Sequence, residues 1–302
     1  MPTVSVVIPT YNRIAHLNRT IQSVLNQRFE DLELVVVDDA STENTESVVE
    51  AFDDERGRYL EHEVNRGGSA ARNTGIEAST GKYVAFLDDD DAWLPHKLER
   101  QIGCLEECSE EWVATYCDIH VVRHGVTSRL RELLAEVLPV GHSKSRPEGG
   151  AELIPVVLAR EFPLGGASTL VVRRTAIDQL GGFDVRFERL QDWEFLARLL
   201  RIGKIAHVDD TLVVKHETTF PSAETVGAAQ EVFFEEFSSE IERAERNGYD
   251  VVATHRFALA KSLFVDGRFV EGFRHLNGAT IDPLALAQSI CTGVYLRATR
   301  SL

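Results

Sequence analysis

The stretch Tyr83–Asp91, YVAFLDDDD, joins a short apolar run to four consecutive aspartates. The apolar and aromatic run Val84–Leu87, preceded by Thr80-Gly81, is typical of a buried strand. Four adjacent carboxylates repel one another, so their position at the end of a strand indicates a divalent cation that neutralises them. We therefore interpret Asp88-Asp89-Asp90 as a metal-binding DxD sequence, with a solvated acidic turn as the alternative.

The composition argues against two classes of partner. The chain has 302 residues, enough to bury a large core in one domain or in one domain with an appendage. Lys and Arg number 32 against 48 Asp and Glu, which gives a net charge of −16. Nucleic acids and broad anionic membrane faces attract clustered basic residues, so neither is expected as a partner.

Two features of the sequence indicate where in the cell the protein is expected: its N-terminal residues and its cysteines. The chain enters a strand pattern at Val4–Ile8 without a charged and then apolar leader, and no apolar run reaches the roughly 20 residues that cross a bilayer. The four cysteines are Cys104, Cys108, Cys117 and Cys291. Cys104 and Cys108 are one helical turn apart, but no nearby CxxC or His pair completes a tetrahedral metal set with them. We expect reduced thiols and a cytoplasmic protein, with peripheral binding at the inner face of the membrane as a second location.

Apolar strands and amphipathic helices alternate through the first 90 residues. Helices are predicted at about 13–27, 43–53 and 70–79, between strands at Val4–Ile8, Leu34–Val37, Tyr59–His62 and Val84–Leu87. This order predicts an α/β fold with a mostly parallel sheet and helices on both faces. In such sheets ligands bind beyond the carboxyl ends of the strands.

A cluster of unusual residues follows each of these four strands, so the sheet would bring all four clusters to one edge. They are Thr10-Tyr11, Asp38-Asp39, Gly67-Gly68 with Arg72, and Asp88–Asp91. An aromatic ring, a carboxylate for a base edge, a glycine loop with an arginine for phosphate, and metal-binding carboxylates predict a nucleoside-diphosphate pocket. Each cluster alone also fits a turn, a helix cap or a surface ion pair, but one shared ligand explains all four.

Four motifs, in this order and spacing, resemble those of family 2 glycosyltransferases with the GT-A fold: SVVIPTYNR, VVVDDAS, NRGGSAARNTGI and YVAFLDDDDAWLP. The resemblance covers about residues 1–220 and implies a mixed, mostly parallel sheet flanked by helices. It implies that residues after the first two strands hold the base and ribose, and that Arg72 contacts the diphosphate. The predicted nucleotide site comprises Pro9, Thr10, Tyr11, Asp38, Asp39, Gly68, Arg72, Asp88 and Asp89.

The resemblance also implies a metal site for Mn²⁺ or Mg²⁺, with Asp90 as a ligand. We include Asp91 and His216 in the predicted set, because His216 resembles a histidine that follows the last sheet strand in some members. A surface histidine is the alternative. A small residue is common between the two acids of this motif, and here Asp89 fills that place, so the choice of ligand among Asp89, Asp90 and Asp91 stays open.

A second acidic position, Asp192, lies in the first turn of a predicted amphipathic helix. GGFD at 181–184 followed by DWEF at 192–195 resembles the acceptor-side motif of the family, in which the aspartate is the general base. We therefore predict Asp192 as the catalytic base. The family usually has an acid directly before it, where this chain has Gln191, and the alternative is an acid that only stabilises the helix N-terminus.

The predicted domains are a GT-A domain over residues 1–220 and a helical C-terminal region over 221–302. The first divides into a nucleotide-binding half, 1–110, and an acceptor-binding half, 111–220. The polar segment 123–150 is predicted either to recognise the acceptor or to be a disordered insertion. The helical stretches after 223 stop at Asn247-Gly248, Asp266-Gly267 and Asn277-Gly278, and they predict an appendage that offers a surface to a partner or a membrane.

These patterns and the resemblance together predict an inverting glycosyltransferase. It would move a sugar from a nucleoside-diphosphate donor, with UDP-sugars favoured, to a hydroxyl of a glycan or lipid-linked acceptor in glycan, polysaccharide, glycolipid or glycoprotein assembly. One alternative is a non-catalytic nucleotide-sugar-binding protein or scaffold. A sugar nucleotidyltransferase would need a basic glycine-rich loop after the first strand, and a dehydrogenase would need GxGxxG; the early strands are followed by neither.

Overall fold

The computed structural model describes residues 1–122, 146–216, 221–279 and 281–299. The predicted loop over 123–150 therefore lies outside the described residues for most of its length. The chain divides into two compact units. The first comprises Met1–Val122, Arg146–Leu153 and Leu164–His216, and the described part of the second comprises Ile154–Pro163, 221–279 and 281–299.

A mixed sheet forms the centre of the first unit. Its strands are β1 (Val4–Thr10), β2 (Leu32–Asp38), β3 (Gly57–Glu61), β4 (Tyr83–Phe86), β5 (Ala92–Trp93), β6 (Trp112–Val122), β7 (Val171–Arg173) and β8 (Lys204–His216). They lie in the order β3-β2-β1-β4-β7-β6-β8-β5. The pairs β1–β2, β2–β3, β1–β4 and β6–β8 are parallel, and β4–β7, β6–β7 and β5–β8 are antiparallel. The mixed, mostly parallel sheet predicted from the sequence is confirmed.

The helices of the described residues, in chain order, are α1 (Ile14–Leu25), α2 (Thr45–Glu50), α3 (Gly68–Ala78), α4 (Lys97–Glu107), α5 (Ile154–Leu158), α6 (Arg174–Leu180), α7 (Gln191–Ile202), α8 (Ala223–Glu236), α9 (Ser238–Arg246), α10 (Val251–Val265), α11 (Phe269–His275) and α12 (Pro283–Thr299). Helices α1 to α4, α6 and α7 belong to the first unit, and the others to the second. Short 3₁₀ turns occupy Ala151–Leu153 and Ala167–Thr169.

Helices pack on the sheet because its central strands are apolar throughout. All seven residues of β1 and all four of β4 are buried, as expected for strands covered on both faces. Helix α3 approaches closely at Gly75, where a Cβ atom would lie 2.3 Å from Val7 Cγ1. The small residues of this helix therefore allow the chain that carries Arg72 to lie directly against β1.

The strand register places the predicted clusters at one edge of the sheet. Thr10, the last residue of β1, pairs with Asp38, the last residue of β2. Val7 pairs with Phe86 at the end of β4, so the four aspartates begin just beyond that strand. Parallel strands end at the same edge, and the side chains that follow β1, β2 and β4 are brought together there.

The described part of the second unit is helical. Two of its helices end directly before the predicted stops, at Arg246 and Val265. A third ends at His275, one residue before the stop at Asn277-Gly278. Helix α12 crosses α10 in backbone contact, since a Cβ atom on Gly293 would overlap the carbonyl oxygen of Phe264. Among the residues described, no helix combines the length and the apolar composition needed to cross a bilayer.

His255 is the buried titratable group of α10. Its Nε2 donates to the carbonyl oxygen of Leu158 at 3.1 Å, and its ring stacks on Phe233 with centroids 5.1 Å apart. Burial, and then the positive charge of Arg160, lower the pKa of His255 from 6.5 to about 4. The folded state thus keeps this ring neutral over a pH range in which the unfolded chain binds a proton.

This histidine should make the second unit acid-sensitive. Neutral His255 makes its full contribution to the free energy of unfolding above pH 6.5. This contribution is lost as the pH falls towards 4, because only the unfolded state takes up the proton. We expect the wild type to lose about 2 kcal/mol more unfolding free energy than His255→Leu between pH 6.5 and 5, at about 1.36 kcal/mol per pH unit. Urea unfolding followed by circular dichroism measures the difference. A control at the exposed His120 of β6, His120→Leu, should keep the wild-type pH dependence. Equal pH dependence of His255→Leu and wild type would contradict the assignment.

Candidate active site

Helix α1 holds the backbone of the acidic turn that follows β4. Thr20 Oγ1 lies 2.9 Å from the carbonyl oxygen of Asp89 and 2.8 Å from that of Asp91, and Arg19 donates to the carbonyl oxygen of Asp90 at 2.7 Å. The turn closes through a hydrogen bond from the Asp91 N–H to the Asp88 carbonyl at 3.0 Å. The carboxylates therefore project from a backbone that is fixed on both sides.

Asp88 lies between two cationic side chains. Arg72 Nη2 donates to its Oδ1 at 2.6 Å, and Lys215 Nζ is 3.6 Å from its Oδ2. Burial alone would raise the pKa of Asp88, but the charges of Arg72 and Lys215 outweigh it and hold the pKa below its usual value. Asp88 is thus a carboxylate that stays ionised inside the site.

Asp91 is completely buried and makes several polar contacts. Its Oδ2 accepts from Ser168 Oγ at 2.7 Å and from Lys215 Nζ at 3.2 Å, while its Oδ1 accepts from the backbone N–H of His216 at 3.3 Å. Burial, and then the charges of Asp88 and Asp90, raise its pKa to about 6. The hydrogen bond from the His216 N–H to Asp91 brings the backbone of His216 next to the acidic turn.

Asp89 and Asp90 face the segment that follows β1. Thr10 Oγ1 donates to Asp89 Oδ2 at 2.8 Å, and Arg13 forms an ion pair with Asp90. Burial is the main reason that the pKa of Asp89 is raised to about 7; the charges of Asp90 and Asp88 add to it. Arg13 ends the motif SVVIPTYNR, and the contact shows how the first and fourth motifs meet.

Asp192 and Lys215 meet Asp88 around Gly166. A methyl group on Gly166 would lie 3.1 Å from Lys215 Nζ, 3.5 Å from Asp192 Oδ2 and 3.8 Å from Asp88 Oδ2. Gly166 has φ +90° and ψ 178°, a conformation that L side chains rarely adopt, so glycine both permits the turn and leaves this space open. Burial, and then the charge of Asp88, raise the pKa of Asp192, which Arg72 and Lys215 partly offset.

Asp38 and Asp39 hold the loops at the edge of the sheet. Asp39 is buried and accepts hydrogen bonds from the backbone N–H groups of Arg66 at 2.8 Å and Gly67 at 2.7 Å, with His62 Nδ1 2.7 Å away. Asp38 accepts from the Ser41 N–H at 2.9 Å and from the Tyr59 hydroxyl at 3.0 Å. Asp39 thereby fixes the glycine loop that begins α3.

The remaining predicted nucleotide residues lie around these loops. Pro9 is buried within β1, and Tyr11 is exposed at the end of that strand, where its ring is available to a ligand. Gly68 opens α3, and a Cβ atom there would lie 3.2 Å from Arg72 Nη1. Arg72 itself is buried, and its Nε has no hydrogen-bond partner among the residues described. A buried guanidinium with an unused donor suits an anionic ligand.

The structure thus brings two groups of predicted residues to one edge. The first group consists of the acidic turn Asp88–Asp91 and the residues beside it, which are Thr10, Arg72, Asp192 and His216. The second group lies in or beside the loops after β1, β2 and β3 and comprises Pro9, Tyr11, Asp38, Asp39 and Gly68. Sequence reasoning missed four contributors: Arg13, Gly166, Ser168 and Lys215. Arg13 is the last residue of the motif SVVIPTYNR, and Lys215 directly precedes His216. Their position beside predicted residues is the signal that could have found them.

The side-chain atoms that the acidic turn offers as metal ligands fit a hard divalent cation. They are carboxylate oxygens, the ligands that Mg²⁺ and Mn²⁺ prefer, and a nearby cation would favour the ionised forms of Asp89 and Asp91, whose pKa values are raised. Among the residues described, however, no group of three or more His, Cys, Asp and Glu side chains is already arranged to hold a metal ion. Metal binding would therefore require some carboxylates to exchange their present contacts.

Comparison with known proteins identifies the family of the first part of the chain. Residues 5–146 match the model of the family described as glycosyl transferase family 2. A putative teichuronic acid biosynthesis glycosyltransferase, TuaG of Bacillus subtilis, is 41% identical over 110 residues, which are 36% of this chain and 44% of that protein. The UDP-Glc:alpha-D-GlcNAc-diphosphoundecaprenol beta-1,3-glucosyltransferase WfgD of Escherichia coli is 41% identical over 102 residues, 34% of this chain and 40% of that protein. The chain thus spans less than half the length of these relatives.

Solved structures resemble the chain over nearly its whole length. S. aureus TarS 1–349 in complex with UDP-GlcNAc has a TM-score of 0.58 at 15% identity, covering 98% of this chain and 92% of that one. The mannosyltransferase PcManGT from Pyrobaculum calidifontis, in complex with GDP-Man and Mn²⁺, has a TM-score of 0.61 at 18% identity, covering 99% and 86%. At these identities the likeness establishes the fold, a GT-A-like sheet with flanking helices and a helical C-terminal region.

Proposed function

The chain carries a family 2 glycosyltransferase domain, and on this premise we propose that it transfers a sugar from a nucleoside-diphosphate donor to an acceptor hydroxyl with inversion at the anomeric carbon. One observation carries the proposal: Asp192, Asp88 and Lys215 all point at the space over Gly166, beside the buried Arg72. A carboxylate base and two cations around one open space are the groups that this reaction needs.

Asp192 is the proposed general base. As the acceptor oxygen attacks the anomeric carbon, its proton passes to the Asp192 carboxylate, and the bond from that carbon to the phosphate oxygen breaks with its electron pair leaving on the diphosphate. Burial and the charge of Asp88 raise the pKa of Asp192, so its carboxylate is a stronger base than one in water. A single carboxylate opposite the leaving group produces inversion by one displacement, as in inverting hydrolases.

Arg72 and Lys215 are proposed to stabilise the departing diphosphate. Both are positioned by Asp88, which lies 2.6 Å from Arg72 Nη2 and 3.6 Å from Lys215 Nζ. The pKa of Lys215 is raised by Asp88, Asp91 and Asp192 in spite of burial, so its ammonium group remains charged. Cations that are already in place when negative charge develops act most strongly in a site with little water.

Asp90 is the proposed ligand of Mn²⁺ or Mg²⁺, with Asp89, Asp91 and His216 as the other candidates. When bound, such an ion would neutralise charge on the diphosphate. Tyr11 and the loops held by Asp38 and Asp39 are proposed to receive the base and ribose. A uridine diphosphate donor is supported by the UDP-GlcNAc in the TarS complex and by the name of the E. coli relative.

The acceptor is proposed to be a saccharide carried on a lipid. The name of the E. coli relative specifies a diphosphoundecaprenol acceptor. The name of a Campylobacter jejuni glucosyltransferase also specifies an acceptor that carries undecaprenol. Such an acceptor lies at a membrane surface, so a cytoplasmic enzyme with this activity would work peripherally at the inner face.

A thermal-shift panel tests the donor class. We expect UDP-sugars to raise the unfolding temperature in the presence of Mn²⁺, because a ligand that binds only the folded state stabilises it by mass action. GDP- and dTDP-sugars should give smaller shifts. Equal shifts for all three nucleotides, or no shift with any of them, would contradict the proposed donor.

A further inference from the structure

A basic cavity of about 350 Å³ lies in the helical second unit, far along the chain from the residues of the candidate active site. It is lined by Arg256, Arg274, His275 and Asn277. Arg256 Nη1 donates to the carbonyl oxygen of Asn277 at 3.4 Å, and a Cβ atom on Gly278 would lie 3.2 Å from the same nitrogen. The turn after α11 therefore passes close to the guanidinium of Arg256 and shapes one wall of the cavity.

The arginines of this cavity take no part in the ion pair on α11. The carboxylate on α11, Glu271, is bound by Arg268, with Nε to Oε1 at 2.9 Å and Nη2 to Oε2 at 2.6 Å. Within the described part of the chain, Arg256 and Arg274 lie at ion-pair distance from no carboxylate. Two arginines and a histidine without an acidic partner at that distance suit an anion, and arginine forks suit phosphate in particular.

Exposed apolar side chains lie beside this cavity. Val270, Phe273 and Arg274 are three and four residues apart on α11, so they share one face of that helix. Val270 is 68% exposed and Phe273 is 57% exposed. The chain that follows exposes further large apolar side chains, at Ile281, Val294 and Tyr295. Isolated apolar residues on a surface need no explanation, but a group of them next to basic residues indicates a binding surface.

The last part of the chain also differs in charge from the rest. Residues 251–302 contain six Lys and Arg against three Asp and Glu, although the whole chain has a net charge of −16. An anionic surface would therefore attract the basic residues of this segment, whereas the remaining chain has an excess of acidic residues. Binding through this segment would be sensitive to salt.

We propose that the α11 face (Val270, Phe273, Arg274) and the adjoining cavity form a docking surface for the headgroups of an anionic phospholipid bilayer. The lipid phosphate accepts hydrogen bonds from Arg256 and Arg274, and Val270 and Phe273 enter the boundary between headgroups and acyl chains. Basic and apolar side chains on one helix face are the combination that interfacial binding requires. The inference is independent of the proposed transfer, because docking needs neither donor nor acceptor.

Vesicle co-sedimentation of the full chain tests the docking surface. We expect the wild type to bind vesicles of phosphatidylcholine mixed with phosphatidylglycerol and to bind poorly to vesicles of phosphatidylcholine alone. The double variant Arg256→Gln/Arg274→Gln should bind the mixed vesicles about 30-fold more weakly, since each basic residue at such a surface contributes about one kcal/mol. Val270→Ser should also weaken binding, because it removes an apolar contact and leaves the charge unchanged.

The matched control removes two charges from another helix of the same unit. Arg243→Gln/Arg246→Gln on α9 changes the net charge equally and should leave vesicle binding as in the wild type. Circular dichroism confirms that each variant is folded. Equal loss of binding in both double variants would show a general charge effect and overturn the proposal. So would equal binding to both vesicle types, or stabilisation by glycerol phosphate without any binding to vesicles, which would assign the cavity to a small soluble anion.

Discussion

Replacing Asp192 by asparagine is expected to lower the rate of transfer by about 10²- to 10⁴-fold, the usual contribution of a positioned general base. Asparagine keeps the shape of the side chain but cannot take the proton of the acceptor hydroxyl. Binding of the nucleotide sugar should be preserved, because the contacts proposed for the diphosphate come from Arg72, Lys215 and the acidic turn. Release of UDP from the selected donor in the presence of acceptor measures the rate, and calorimetric titration measures donor affinity.

The matched control for this variant is Asp178→Asn, at an exposed aspartate on the neighbouring helix α6. It should keep both the rate and the affinity of the wild type. If Asp192→Asn lost donor binding together with transfer, Asp192 would be a donor ligand or a structural residue. If it kept the wild-type rate, Asp192 would not be the general base. Donor binding by the wild type without any transfer would instead support a non-catalytic role, as a nucleotide-sugar-binding protein or scaffold.

Replacing Lys215 by methionine is expected to destabilise the first unit by about 3 kcal/mol. Asp91 is completely buried, and its Oδ2 lies 3.2 Å from Lys215 Nζ. Removing one partner of a buried ion pair leaves the other charge without compensation, which typically costs several kcal/mol. Lys215→Arg should lose much less, because it keeps the positive charge. Urea unfolding followed by tryptophan fluorescence measures the effect, since Trp93, Trp112 and Trp193 all belong to this unit.

Lys204 on the same strand provides the comparison for Lys215. Its Nζ lies 2.9 Å from Glu111 Oε2, and both side chains of that pair are well exposed. Exposed ion pairs contribute at most about 1 kcal/mol, so Lys204→Met should cost little. Similar losses for Lys204→Met and Lys215→Met would show that Lys215 has no special place in the site.

The parts of the fold that follow from local patterns were predictable from the sequence. Continuous apolar runs mark β1, β2 and β4, and the periodic apolar residues Leu17, Ile21 and Val24 mark the buried face of α1. The family inferred from four ordered motifs is confirmed for residues 5–146 by the family match. The GT-A fold is confirmed by the solved structures. Because parallel strands end at one edge, the meeting of Thr10, Arg72 and the aspartates could be expected in advance.

Contacts between distant segments could not be read from local patterns. Lys215 meets Asp91 across 124 residues, and β4 pairs with β7 through Tyr83 and Arg173. No periodicity within either segment specifies such a pairing. The pair Gly165-Gly166 carries no signal of a site in the sequence, and only the backbone angles and the neighbours of Gly166 reveal that it borders the proposed catalytic space.

The role of Asp39 illustrates a different limit. A carboxylate after a strand suits a ligand, a helix cap or a loop anchor equally well, and residue type alone does not separate these uses. In the structure both oxygens of Asp39 accept backbone N–H groups, from Arg66 and Gly67. Its contact with the base or ribose therefore stays a prediction, and its observed contribution is to fix the loop that leads to Arg72.

Titrating UDP into the protein with Mn²⁺ and with a chelator tests whether the carboxylates after β4 act with a divalent cation to bind a nucleoside diphosphate. We expect binding with Mn²⁺ and binding at least about tenfold weaker in the chelator, and Asp90→Asn should show the weaker affinity under both conditions. UDP binding of equal affinity in all of these titrations would show that these carboxylates and the cation take no part in it.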